Sequence, residues 1–86
     1  MYRIIIEFPV YSMDDIMLGN QIVGPIEEKY DIEMGGSGTG FGYRDMDWYA
    51  ESEKIAKEMA EDLEKAFKKK FPETEVRYFE DEDYEE

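Results

Sequence analysis

The hydrophobic period of this chain switches from two to 3.6 and back, and then does so a second time. That pattern restricts it to strands and helices alternating around one layered core. In YRIIIEF, Tyr2, Ile4, Ile6 and Phe8 fall on one face and Arg3, Ile5 and Glu7 on the other, with the β-branched and aromatic residues that strands favour. Pro9 ends the run. Ser12 with Asp15 three positions on reads as a capping box opening a helix, and Met13, Ile16, Met17, Val23, Ile26 and Tyr30 continue it as an apolar stripe. Gly24-Pro25 interrupts that stripe, and because proline removes a donor and clashes with the preceding turn, a kink near residue 21 or two short helices are expected. Gly19, on or beside the stripe, lets the helix sit close to the sheet.

The next segments return to strand character. YDIEM reads as a short strand, GGSGTG as a hairpin connection and FGYRDMDWYAE as a longer strand. In that last segment Met46, Trp48 and Ala50 share the core face, and Phe41, Tyr43, Asp45, Asp47 and Tyr49 share the other. A second helix opens near Ser52 and runs until Phe71 meets Pro72, burying Ile55, Met59, Leu63, Ala66 and Phe67. Glu53 with Lys57, Glu61 with Lys65, and Glu64 with Lys68 are spaced to support it by about 0.2–0.5 kcal/mol each, and Lys68 to Lys70 suit the negative end of its dipole. A final strand, EVRYF, turns Val76 and Tyr78 inward and Arg77 and Phe79 outward. The order β-α-β-β-α-β, with both helices on one face of an antiparallel sheet, is the ferredoxin-like split βαβ sandwich, and right-handed crossovers give the spatial order 4-1-3-2. The chain divides into a single domain over residues 1 to 79 and an acidic tail over 80 to 86.

A chain of 86 residues builds one modest core. It carries 23 acidic against 10 basic side chains, a net of −13. Six of the acids lie in the tail (Glu80, Asp81, Glu82, Asp83, Glu85, Glu86), which leaves seventeen acids against ten bases, a net of −7, for residues 1 to 79. A field of that sign repels phosphate backbones and anionic lipid and attracts basic proteins. A basic protein is therefore the expected partner and a homodimer the second, with nucleic acid and membrane disfavoured. The absence of cysteine suits a reducing cytoplasm, and no segment reads as a secretory leader or approaches the roughly 20 apolar residues that span a bilayer.

Little catalytic chemistry is available. There is no histidine or thiol, and Ser12, Ser37 and Ser52 fall at a cap, a loop and a cap, so imidazole acid/base work and nucleophilic triads are excluded and no enzyme is expected. The glycines feed a strand where a phosphate loop would feed a helix, with no following lysine and hydroxyl, so no nucleotide cofactor is expected there. Glu7, Asp45 and Asp47 could approach one another as hard oxygen ligands for Mg²⁺ or Ca²⁺, but solvent-facing carboxylates balanced by Arg3 and Arg77 are the favoured reading, with no metal. TGFGYRDM resembles a degraded form of the third-strand signature of the RNA recognition motif, matching at Gly40, Phe41, Gly42 and Tyr43 and departing at Thr39, Arg44 and Met46. That resemblance implies bases stacking on Phe41 and Tyr43, whereas the same face presents Glu7, Asp45 and Asp47 in place of cations.

The candidate interaction surface is the sheet face away from the helices: Phe41, Tyr43, Asp45, Asp47, Tyr49, Glu7 and Phe79, extended by Glu80, Asp81, Glu82 and Asp83 of the tail. Exposed aromatics on a small domain mark interfaces. The function expected is a non-enzymatic protein-binding module, of the inhibitor or immunity type, that presents carboxylates where a basic nucleic-acid-handling protein would meet phosphates. The alternatives are a homodimeric structural or regulatory domain and a degenerate single-strand RNA binder. The Gly35 to Gly42 stretch is expected to be a mobile hairpin tip.

Overall fold

The computed structural model describes residues 1–82 of the chain. Six elements follow in order: β1 (Tyr2–Pro9), α1 (Met13–Tyr30), β2 (Gly36–Gly40), β3 (Tyr43–Ala50), α2 (Glu53–Lys68) and β4 (Glu75–Glu80). The four strands form one antiparallel sheet in the order β2-β3-β1-β4, the ferredoxin-like arrangement that the periodicity implies. None of the helices among the described residues is long and apolar enough to cross a membrane.

The core is the meeting of three alternations. Ile4, Ile6 and Phe8 from β1 and Met46, Trp48 and Ala50 from β3 all point at the helices and are buried, and α2 answers with Ala56, Met59, Ala60, Leu63 and Phe67. Phe8 lies at the centre, its ring centroid 4.9 Å from those of both Phe67 and Phe71. Above it sits Gly19: a Cβ built there would lie 2.6 Å from Phe8 Cζ, so only glycine admits α1 at this height over the sheet. Trp48, though fully buried, satisfies its indole N–H by donating to Glu27 Oε2 of α1 at 2.9 Å.

Several local expectations change. α1 runs unbroken for 18 residues through Pro25 and does not divide into two short helices. Gly24 lacks the Cβ that a following proline ring would meet, and Gln21, whose carbonyl loses its donor, lies on the exposed side where water serves instead. The expected capping box does not form: Ser12 makes no side-chain cap, and Asp15 Oδ2 accepts from the Tyr11 amide at 2.7 Å instead of from Ser12. Met13 and Met17, assigned to the buried stripe, are exposed. α1 ends on Asp31 in the left-handed region (φ 55°), with Ile32 N–H donating to Glu27 O at 3.1 Å, the six-to-one bond of a Schellman closure. That closure takes Tyr30 and Asp31 out of YDIEM. Ile32 and Met34 still pack against the core, but the segment is not a strand.

The glycine-rich stretch is itself β2, which corrects its reading as a mobile tip. The turn falls at Phe41-Gly42, whose φ angles of 53° and 81° are both positive, as a two-residue type I′ hairpin requires. Phe41 therefore sits in the turn and off the β3 ladder, and β3 begins at Tyr43. α2 is capped as read, Ser52 Oγ accepting from Ile55 N–H at 3.2 Å, but it ends at Lys68. Phe71 returns to the core from the following turn.

The two helices are tied by Asp62 of α2, whose Oδ2 accepts from Lys29 Nζ at 2.8 Å and from the Tyr30 hydroxyl at 2.6 Å. These hydrogen bonds, the Lys29 one first, hold the Asp62 carboxyl below its ordinary pKa. A carboxylate depressed on folding contributes stability above the unfolded pKa and loses it as pH falls through the folded one. In urea melts, Asp62→Asn is expected to be less stable than the parent at pH 7, with the gap closing as pH drops below about 4. Gly19→Ala, despite better helix propensity, should cost about 1–3 kcal/mol through the Phe8 overlap.

Candidate interaction surface

Side-chain alternation on β1, β3 and β4 sends a second set of residues away from the helices. In register across the sheet, Tyr49, Arg3 and Phe79 form one row, Asp47, Ile5 and Arg77 the next, and Asp45, Glu7 and Glu75 a third, with Tyr43 beyond them opposite Pro9. Trp48 faces the core, so the tyrosines and aspartates of β3 do line the outer face.

The rows differ in charge. Arg3 donates from Nε (3.0 Å) and from a terminal nitrogen (2.5 Å) to the same oxygen, Asp47 Oδ2, and its guanidinium stands 5.9 Å from the centre of the Tyr49 ring. The hydrogen bond to Asp47 raises the already high Arg3 pKa, and Asp81 adds to that from the chain end. Asp47 is thus half of an ion pair and only 13% exposed. Its other oxygen, Oδ1, is buried and accepts no hydrogen bond among the described residues.

The third row holds no ion pair among the described residues, and its neighbouring cation is Arg77, two positions from Glu75. Asp45, Glu7 and Glu75 are all exposed and stand directly opposite one another on three adjacent strands. Like charges in cross-strand pairs oppose folding, each such pair by a few tenths of a kcal/mol or more. Glu75 was not legible from alternation alone, because only the β1–β4 register places it beside Glu7. The carboxylates weighed as a possible hard-cation site, Glu7, Asp45 and Asp47, do not form one: among the described residues no group of three or more His, Cys, Asp or Glu is placed to hold a metal ion.

Aromatic residues border the acidic row. Tyr43 is 44% and Phe79 40% exposed, and Phe41 reaches 106%, its ring wholly in solvent at the hairpin tip. Phe41, Tyr43, Asp45 and Glu7 surround a shallow hollow floored by Gly38 and Gly40. Of the tail, Glu80 pairs with Tyr2 on the helix side of the sheet, where its carboxylate raises the Tyr2 phenol, so it does not join the outer face. The Asp81 amide donates to Met1 O at 2.9 Å, and Glu82 is exposed. Asp83 lies outside the described residues.

β2 shapes the rim. Its outward positions are Gly36, Gly38 and Gly40, opposite Asp47, Asp45 and Tyr43, and the β3 carboxylates lean over this bare backbone. A Cβ at Gly36 would stand 3.3 Å from Asp47 Oδ1, and one at Gly38 3.5 Å from Asp45 Oδ1. Gly35 N–H also donates to Asp47 O at 2.7 Å, so Gly35 and Gly36 together oppose one β3 residue, the count of a β-bulge.

No family model matches this chain, and no curated protein matches it. Among solved structures it is similar to an uncharacterised NIPSNAP domain protein from Burkholderia xenovorans (13% identity, 94% of each chain covered, TM-score 0.61). It is also similar to the protein Atu4242 from Agrobacterium tumefaciens (12% identity, 93% of this chain and 92% of that one, TM-score 0.58). A third neighbour is the de novo designed ferredoxin-fold protein LFR1 1 (12% identity, 91% of this chain and 80% of that one, TM-score 0.58). At such identities the likeness is one of fold.

Phe41 combines a fully exposed aromatic ring with a left-handed backbone that a non-glycine residue adopts at a cost of about 1–2 kcal/mol. Phe41→Asn, which suits that conformation, should stabilise the fold by about 1 kcal/mol and raise Tm by roughly 4–8 °C in a thermal melt.

Proposed function

We propose that this protein is a non-enzymatic binding module whose outer sheet face engages a basic protein. The observation that carries this reading is the like-charged row Asp45, Glu7 and Glu75, bordered by Tyr43, Phe41 and Phe79. Both features oppose folding or solubility in isolation, and both favour association with a cationic, partly apolar surface. Arg3 is paired with Asp47, so Arg77, exposed in the neighbouring row two positions from Glu75, is the one outer-face cation beside these three acids among the described residues.

The finer reading is an inhibitor or immunity-type protein, in which carboxylates spaced along a sheet occupy the positions of phosphates on a nucleic-acid-handling partner. The net charge of −13 supports fast, charge-steered encounter with such a partner. A cytoplasmic setting fits a chain without cysteine. The same charge weighs against single-strand RNA, and the placement of Phe41 in a turn removes one of the two rings that stacking would use from the sheet.

The test is charge reversal away from the structural ion pair. With egg-white lysozyme as a folded basic probe, the parent should bind at low salt and release as ionic strength rises, and Glu7→Lys with Asp45→Lys should weaken binding at least tenfold while the melting temperature holds or increases. Equal affinity of the doubly reversed variant and the parent contradicts the reading.

A further inference from the structure

Resting on that reading, we infer that β2 is the docking edge of this surface. An extended segment of a basic partner, with Lys or Arg at alternate positions, adds to it as a fifth strand. Three observations converge on this edge.

The first is its hydrogen-bonding capacity. β2 lies at the end of the sheet and pairs only with β3. In a two-residue hairpin the closing pair, here Gly40 and Tyr43, is hydrogen-bonded, and bonded pairs then alternate. Gly36, Gly38 and Gly40 therefore point their amides and carbonyls at β3, and Ser37 and Thr39 point theirs outward. Both residues have short polar side chains, and the larger group beside them is the Arg44 guanidinium, which donates to Thr39 Oγ1 at 3.0 Å on the helix side. Lysine and proline, two of the devices that blunt natural edges, are missing from Gly36–Gly40, and the bulge at Gly35-Gly36 marks only its first end.

The second is the glycine spacing. A strand laid beside β2 stands two strand separations from β3, about 9–10 Å. Ordinarily the side chains of the middle strand fill that interval. Here they are hydrogen atoms, and the Asp45 and Asp47 carboxylates already lean over the backbone toward the edge. Residues of an added strand opposite Gly36 and Gly38 stand across from those two acids, of which Asp45 is exposed and Asp47 is already paired with Arg3, its Oδ1 buried against Gly36. A cation of lysine or arginine length is the complement, repeated at every second residue.

The third is the end of the edge. Phe41, Tyr43, Asp45 and Glu7 surround the hollow over Gly38 and Gly40. Aromatic faces beside carboxylates receive a guanidinium or ammonium through both cation–π and ionic attraction. A second copy of this chain is the wrong occupant. Pairing two β2 edges would set Asp45 and Asp47 of one copy against those of the other across bare backbone on both sides.

A blocked decapeptide alternating arginine and threonine serves as the probe, titrated into the isotopically labelled protein at low salt. Binding with the largest amide shifts at Ser37 and Thr39, weakened at least tenfold when alternate peptide amides are N-methylated, is the expected result; the corresponding glutamate-threonine peptide should not bind. Ser37→Pro removes one outward donor at an edge position that tolerates proline and should weaken the arginine peptide several-fold. If that variant does not fold, the N-methylated peptide alone carries the comparison. Equal binding of the methylated and unmethylated arginine peptides overturns the edge while leaving the acidic face intact. Absence of arginine-peptide binding, or a doubled mass by light scattering in the free protein, overturns it as well.

Discussion

The turn at Phe41-Gly42 fixes the register of the β2–β3 hairpin, and the character of the outer face depends on that register. Two residues with positive φ close the hairpin on Gly40 and Tyr43, and Val10 N–H anchors the turn to the end of β1 by donating to Gly42 O at 2.9 Å. Side chains alternate with period two, so a slip of one residue would carry Met46 and Trp48 into solvent and drive Asp45 and Asp47 under the helices. The buried set of Ile4, Ile6, Phe8, Met46 and Trp48 opposes any such slip. Core and candidate surface are thus two consequences of one alignment.

Within that alignment the two faces are built on opposite logic. The helix side is compensated at most of its polar groups: Trp48 finds Glu27, Asp62 holds Lys29 and Tyr30, and Gly19 gives Phe8 the space its ring needs, while the buried Arg44 Nε has no partner among the described residues. The outer side is not. It lines up three carboxylates, holds an aromatic ring at full exposure on a strained turn residue, and leaves one edge of the sheet without side chains to shield it. These locally unfavourable features are the ones that the proposed association would compensate.

Fold and face were legible in the sequence because both follow from period-two and period-3.6 patterns of strong hydrophobes, and β1, β3 and α2 carry those patterns clearly. β2 was hidden for a physical reason. Glycine is depleted in strands, so GSGTG reads as a connection, and the true turn lacks the asparagine or aspartate that usually precedes glycine in a type I′ hairpin. YDIEM offered a better strand on composition, but the left-handed Asp31 closure takes its first two residues. Glu75 and the outward amides of Ser37 and Thr39 depend on pairing partners distant in sequence, which no local pattern encodes. Asp47 was identified as outward, while its engagement by Arg3 needed the cross-strand geometry.

Amide hydrogen exchange along β2 in the free protein tests this account most directly. Protection of Gly36, Gly38 and Gly40 with near-free exchange at Ser37 and Thr39 is the pattern that a glycine strand with an open outer edge requires. Uniformly rapid exchange from Gly36 to Gly40, or protection at Ser37 and Thr39 instead, would contradict it.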